Sequence, residues 1–145
     1  MRFSGSAEFA ASRGAVWQLL IDPTKLGPCL PIPISRVDET HFRSEATIGP
    51  GLFSVVFRVD VELVVGEPLQ LARLVARGQG SGTTVEATTS FALSDGSTAG
   101  TTVVDWAAEV ELTGMFASVG AGIIEQRAPD AIESLTECLH RQLGS

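Results

Sequence analysis

Two histidines, two cysteines and a scatter of carboxylates are the residues with which this 145-residue chain could do chemistry. General acid–base work needs an imidazole or carboxyl group held within hydrogen-bond reach of a partner. His41 and His140 have no cysteine or carboxylate at ligand spacing, the chain has no tyrosine, and both histidines read as surface residues. Cys29 stands among Pro28, Leu30 and Pro31, with no cation or imidazole beside it to favour a thiolate, so it reads as a buried, inert thiol. Cys138 reads the same way. The two cysteines lie far apart and form no metal-ligand pattern, which points to a cytoplasmic protein with two reduced thiols. Glu125 and Asp130 have the spacing to reach inward from a helix, although a solvated face is the plainer reading. Gly78-Gln79-Gly80-Ser81-Gly82 has the composition of a phosphate cradle, but such loops need a helix to follow, and a strand pattern follows here. No catalytic site, metal site or cofactor is therefore expected.

The bulk composition narrows the function further. Seventeen acidic residues against ten basic ones give a net charge of -7, and Lys25 and the arginines are spread without a cluster. A nucleic-acid-binding surface needs a basic stripe that displaces counterions from phosphates, so that class is set aside. The same acidity opposes electrostatic docking on an anionic bilayer. No run reaches the ~20 apolar residues of a membrane span, and the opening Met1-Arg2-Phe3-Ser4-Gly5 lacks the apolar core of a secretory signal. A hydrophobic share of 44% in a chain of this length suits one domain, residues 1–145.

The elements that must position any site follow from periodicity. Phe3, Gly5, Ala7 and Phe9 alternate with Ser4, Ser6 and Glu8 as a half-buried strand. Ser12 is placed to cap a short helix carrying Val16, Leu19 and Leu20, which ends before Asp22-Pro23; a second helical turn runs from Pro23 to Cys29. Five strands follow at about 36–48, 52–66, 69–79, 83–93 and 101–112, punctuated at Gly49-Pro50-Gly51, Glu67-Pro68, Gly80-Ser81-Gly82 and Asp95-Gly96. From residue 115 to 142 the period changes to that of a helix, with Pro129 expected to kink or split it. A twisted antiparallel sheet of this size must cover one face, and only the last helix is long enough to do so. Arg43, Glu45, Arg58, Asp60, Glu62, Glu86, Asp105 and Glu109 fall on the other, solvated face.

The inward positions are the candidate site. Phe42, Phe53, Phe57, Val61, Leu74, Phe91, Val104 and Trp106 point toward the helix, with Trp17, Leu20, Leu26 and Leu30 at one mouth and Phe116, Val119 and Ile123 as a lid. Such residues either fill a core or line an apolar cavity, and periodicity alone leaves both open. Small inward residues, Ala46, Ala72, Ala76, Gly78, Ala87 and Ala108, leave volume that close packing would otherwise take up. Gly114, Gly120 and Gly122 at the start of the helix suit either close packing on the sheet or a mobile first turn.

Val16-Trp17, Leu20-Ile21-Asp22-Pro23, Leu26, Cys29-Leu30-Pro31, Gly78-Gln79-Gly80 and Gly100-Thr101-Thr102 together carry a resemblance. The chain resembles the branch of the START-like, or SRPBCC, superfamily that is named for the G subunit of carbon monoxide dehydrogenase. The family's usual Gly-Cys-Glu after the proline is replaced by Ile32-Pro33-Ile34. The resemblance implies an α+β helix-grip fold: a curved antiparallel sheet of six to seven strands around a long C-terminal helix, with two short helices after strand 1. It further implies a non-catalytic accessory of a molybdenum-containing, carbon monoxide dehydrogenase-type enzyme. Such an accessory would enclose an apolar lipid or quinone; from its own sequence the chain is expected to have no transmembrane anchor and to be cytoplasmic or peripheral at the membrane. Two other functions compete. A START-like enzyme of the polyketide cyclase/dehydratase kind needs polar groups converging inside, where the inward set offers mainly Ser44 and Thr89. A ligand-free assembly adaptor needs an exposed apolar patch, for which Ile32, Ile34, Leu52 and Val56 are the candidates.

Overall fold

A computed structural model describes residues 1–30, 32–48 and 55–144 of the chain. Phe53, Leu52 and the Gly49-Pro50-Gly51 turn lie outside the described residues. Seven antiparallel strands form one sheet: β1 (Arg2–Phe9), β2 (Ser35–Arg36), β3 (His41–Ile48), β4 (Val55–Glu67), β5 (Leu71–Gly80), β6 (Thr83–Asp95) and β7 (Thr102–Gly114). Their order across the sheet is β1-β7-β6-β5-β4-β3-β2, so consecutive strands are joined as hairpins and β1 closes onto the last strand. The fold is the helix-grip arrangement that the sequence resemblance implies.

Local chemistry sets the element ends. Ser12 caps α1 (Arg13–Leu20) by accepting a 3.2 Å hydrogen bond from the Ala15 amide. Asp22 does the same for the 3₁₀ helix Pro23–Cys29 through the Thr24 amide at 3.1 Å, with Pro23 in the first position where its missing N–H costs nothing. The expected strand 36–48 is two strands, because Asp38 folds a turn between them: its carboxylate accepts from the amides of Thr40 at 2.9 Å and His41 at 2.8 Å. Ser81 and Gly82 both have positive φ, 47° and 70°, in the two-residue turn that joins β5 to β6. The glycine-rich segment is thus a primed hairpin turn, whose twist matches that of the strands. The long helix α2 (Ala117–Gln142) runs through Pro129 as one element.

Alternation gives the sheet two chemistries. On the outer face Arg43 opposes Asp60, Arg58 opposes Glu45, Arg77 opposes Glu86 and Arg2 opposes Glu109, each pair in direct cross-strand register. Their closest approaches are 3.0–3.7 Å and all are well exposed, so each contributes at most about 1 kcal/mol. On the inner face the tightly packed core lies at one end, beneath α1. There Phe9, Val16, Trp17, Leu20, Phe42, Leu63, Ala72, Leu93 and Val104 form one buried cluster, joined by Leu139 and Leu143 from the end of α2.

Candidate functional site

Beyond that core the inner face is not filled. An apolar cavity of about 460 Å³ separates the middle of the sheet from α2. Its floor is low because small side chains are neighbours there: Ala76 pairs with Ala87 across β5 and β6, and Ala108 pairs with Thr89 across β6 and β7. Phe91 and Trp106, themselves in register, rise beside this floor. Trp106 has space to lie flat because Gly5 faces it on β1; a Cβ at Gly5 would sit 2.9 Å from the indole Cζ2. The roof is one stripe of α2, Ile124, Ala128, Ala131, Ile132, Leu135 and Leu139, at helical spacing. Pro23, Leu26 and Leu30 of the 3₁₀ region cap one end.

The lining is almost wholly hydrocarbon. Thr89 and Thr136 supply its hydroxyls and Trp106 an indole N–H, and Thr136 Oγ1 donates to the Ile132 carbonyl of its own helix at 2.8 Å. Among the described residues no histidine, cysteine, carboxylate or cation is part of the lining. Such a surface excludes charge, since an unpaired ion in it would lose its hydration without compensation, and it favours a molecule that is mostly carbon.

Of the residues expected here from sequence, Leu20, Leu26, Leu30, Val61, Leu74, Phe91, Val104 and Trp106 line the cavity. Trp17 and Phe42 instead belong to the packed core, at 5% and 1% exposure, because α1 lies over that end of the sheet. Phe57 is half-buried and outside the lining, and Phe53 lies outside the described residues. Phe116, Val119 and Ile123 do not form a lid: they are 46%, 64% and 37% exposed. The inward face of α2 is set by Ile124, and one residue of helix turns the side chain by about 100°. Sequence reasoning missed Phe3, Ala7 and Phe9 as wall residues, although their alternation in β1 marked them as inward.

His41 is at the surface as expected, whereas His140 and the cysteines differ from expectation. His41 Nδ1 lies 2.9 Å from the Asp38 carboxylate in the turn described above. His140 is half-buried, its ring edge-on to Phe9 at 4.6 Å between centroids. Cys29 and Cys138 are not reduced thiols but a disulfide, with 5.6 Å between their Cα atoms. The 3₁₀ helix folds onto the last turns of α2 and brings together residues 109 positions apart, a proximity that only the tertiary fold supplies. Burial works against the Asp22 carboxylate, but hydrogen bonds from Thr24 and the Arg36 guanidinium at 2.9 Å hold its pKa below the usual range. Arg36 in turn stacks over Phe42, 4.9 Å from the ring centroid.

Residues 5–144 match the family described as the G subunit of carbon monoxide dehydrogenase (CoxG). The chain belongs to the CoxG family. Among solved structures, a conserved protein from Geobacillus kaustophilus superposes with a TM-score of 0.81 at 19% identity, covering 99% of this chain and 95% of that one. A START superfamily protein from Mycobacterium smegmatis gives 0.65 at 16% identity, covering 99% and 97%. At these identities the likeness concerns the fold. No curated protein matches the chain. In this CoxG family member the stretch from Val16 to Leu30 builds one end of the cavity: Val16 and Trp17 in the core, Asp22 as a cap, Leu26 and Leu30 in the lining, and Cys29 bonded to α2. Among the described residues no helix is long and apolar enough to cross a membrane.

Proposed function

We propose that this CoxG family member is a non-catalytic carrier that holds an apolar, lipid- or quinone-like molecule between its sheet and α2 and serves a molybdenum-containing carbon monoxide dehydrogenase-type enzyme. The observation that supports it is the hydrocarbon cavity of about 460 Å³, whose described lining has two hydroxyls and no ionisable group. A carrier of this sort needs volume, an apolar wall and an opening, and no proton-transfer groups. The dehydrogenase partnership rests on family membership, and the quinone-like cargo on the match between a largely carbon ring and a wall of Phe91, Trp106 and aliphatic side chains. A cytoplasmic site of action, with passing contact at a membrane, belongs to this reading. In that compartment the Cys29–Cys138 disulfide is a bond that is made and broken.

Organic extraction of the purified, folded protein followed by mass spectrometry tests the proposal. A stoichiometric lipid- or quinone-like compound, lost when Trp106 is replaced by a charged residue, supports the carrier and gives its cargo class. An empty extract, together with unchanged Trp17 and Trp106 fluorescence on titration with quinone analogues, would remove the carrier reading and leave an assembly adaptor.

A further inference from the structure

The Cys29–Cys138 bond lies on the seam where the cap of the cavity meets its roof. Cys29 ends the 3₁₀ helix that supplies Pro23 and Leu26 to the lining, and Leu30 follows it; Cys138 stands between the lining residues Thr136 and Leu139. The backbone of α2 makes its main approaches to β7 on one flank and to the 3₁₀ helix on the other, because the cavity holds it off the middle of the sheet. Atoms that face a void lack partners on that side, so along its cavity edge this seam has no protein behind it.

The packed core lies outside the seam. The core cluster is built from α1, the strands and Leu139 and Leu143, none of which belongs to the 3₁₀ helix. The start of that helix is pinned separately: Pro23 is buried, and Asp22 is bound to Thr24 and Arg36. Pro23 and Leu26 are both buried, so the stretch from Asp22 to Leu26 serves as the pivot and Gly27 to Leu30 as the arm.

We propose that the Cys29–Cys138 bond is a redox latch on the cavity. Oxidised, it clamps the 3₁₀ helix against α2; reduced, it lets that helix swing and the cavity exchange its contents. The latch rests on the reading of the cavity as a ligand site. The chemistry is thiol–disulfide exchange with a dithiol reductant. Its thiolate attacks Sγ of Cys29, the half-buried partner, while Cys138, 8% exposed, leaves as a thiolate and takes up a proton. The reductant's second thiol then displaces Cys29. Two electrons pass to the protein, which ends with two thiols, and the reductant ends as a disulfide.

Two measurements on the whole protein, oxidised and after dithiothreitol, test this. Hydrogen–deuterium exchange in residues 23–30 is expected to rise on reduction about tenfold beyond any change common to β5, β6 and β7. Release of the apolar fluorophore N-phenyl-1-naphthylamine should accelerate by a similar factor and slow again on reoxidation with oxidised glutathione. Cys29→Ser should show the fast state whether or not dithiothreitol is present. Unchanged exchange in residues 23–30, or unchanged fluorophore release, overturns the latch. So does exchange in residues 23–30 that rises only in step with that of the sheet, which would make the bond a structural staple. Faster exchange in 23–30 with no fluorophore bound in either state supports the movement and overturns the ligand reading instead.

Discussion

Ala87 and Ala108 give the most direct test of whether the cavity is space or packing. Both line it from the middle of the sheet, where a larger side chain would point at α2. In a filled core, Ala108→Leu forces neighbours from their rotamers and costs about 1–3 kcal/mol. In an empty cavity the new side chain buries its carbons without displacing protein atoms, and stability rises by about 0.5–2 kcal/mol. The expectation is a raised or unchanged Tm in thermal unfolding, with N-phenyl-1-naphthylamine binding weakened at least severalfold. Phe42 is the complementary control. It is 1% exposed, in the core and under Arg36. Phe42→Ala should lose about 3–5 kcal/mol in denaturant unfolding and leave fluorophore affinity, measured under folding conditions, largely as it was. The alternation that marked Phe42 as inward is the same alternation that marked Phe91. What separates core from cavity is which helix lies above each residue, and strand periodicity contains no such information.

At the scale of elements, the 3₁₀ helix is held by a carboxylate at its start and a covalent bond at its end. The folded-state pKa of Asp22 is depressed: burial raises it, and the hydrogen bonds from Thr24 with the Arg36 pair outweigh that. A depressed carboxylate contributes stability above its unfolded pKa, about 3.9, and that contribution is lost as pH falls through the folded value. Thermal unfolding between pH 6 and pH 3 should therefore show a steeper acid loss in the wild type than in Asp22→Asn, with the variant about 1 kcal/mol less stable at neutral pH. Equal slopes would mean that Arg36 and Thr24 do not act through the charge. The bond at the other end joins residues 109 positions apart. Cross-linking a loop of that size restricts the unfolded chain by up to about 5 kcal/mol, and the net effect of such bonds is typically about 2–4 kcal/mol, so Cys138→Ala should lower the urea midpoint by the latter amount without altering the far-ultraviolet spectrum. Strands, caps and the hairpin at Ser81-Gly82 were legible because each is dictated within a few residues. The Asp38 turn was less so, since a single side chain there overrides a continuous strand pattern. The disulfide was not legible at all. Neither Pro28 and Leu30 around Cys29 nor the helical stripe around Cys138 shows that the two segments cross.

For the whole molecule, the arrangement separates two tasks along one sheet. One end, under α1, holds the buried core cluster; the other keeps α2 at a distance and leaves room for cargo. A molecule that keeps a void of about 460 Å³ forgoes the dispersion contacts that a filled interior would supply. Binding an apolar ligand restores those contacts, and only the folded state has the site. Mass action then links occupancy to stability: a ligand present at about a hundred times its dissociation constant adds about 2.7 kcal/mol. For a domain of this size each kcal/mol corresponds to about 2–4 °C, so saturation should raise Tm by roughly 5–10 °C. Differential scanning calorimetry of the extracted protein, alone and with increasing N-phenyl-1-naphthylamine, reads this directly. The rise should follow the logarithm of free fluorophore and be much reduced in Ala108→Leu, where the volume is already taken. A Tm that ignores the fluorophore in the wild type would mean that α2 closes onto the sheet in solution, and the two ends of the molecule would then be one core.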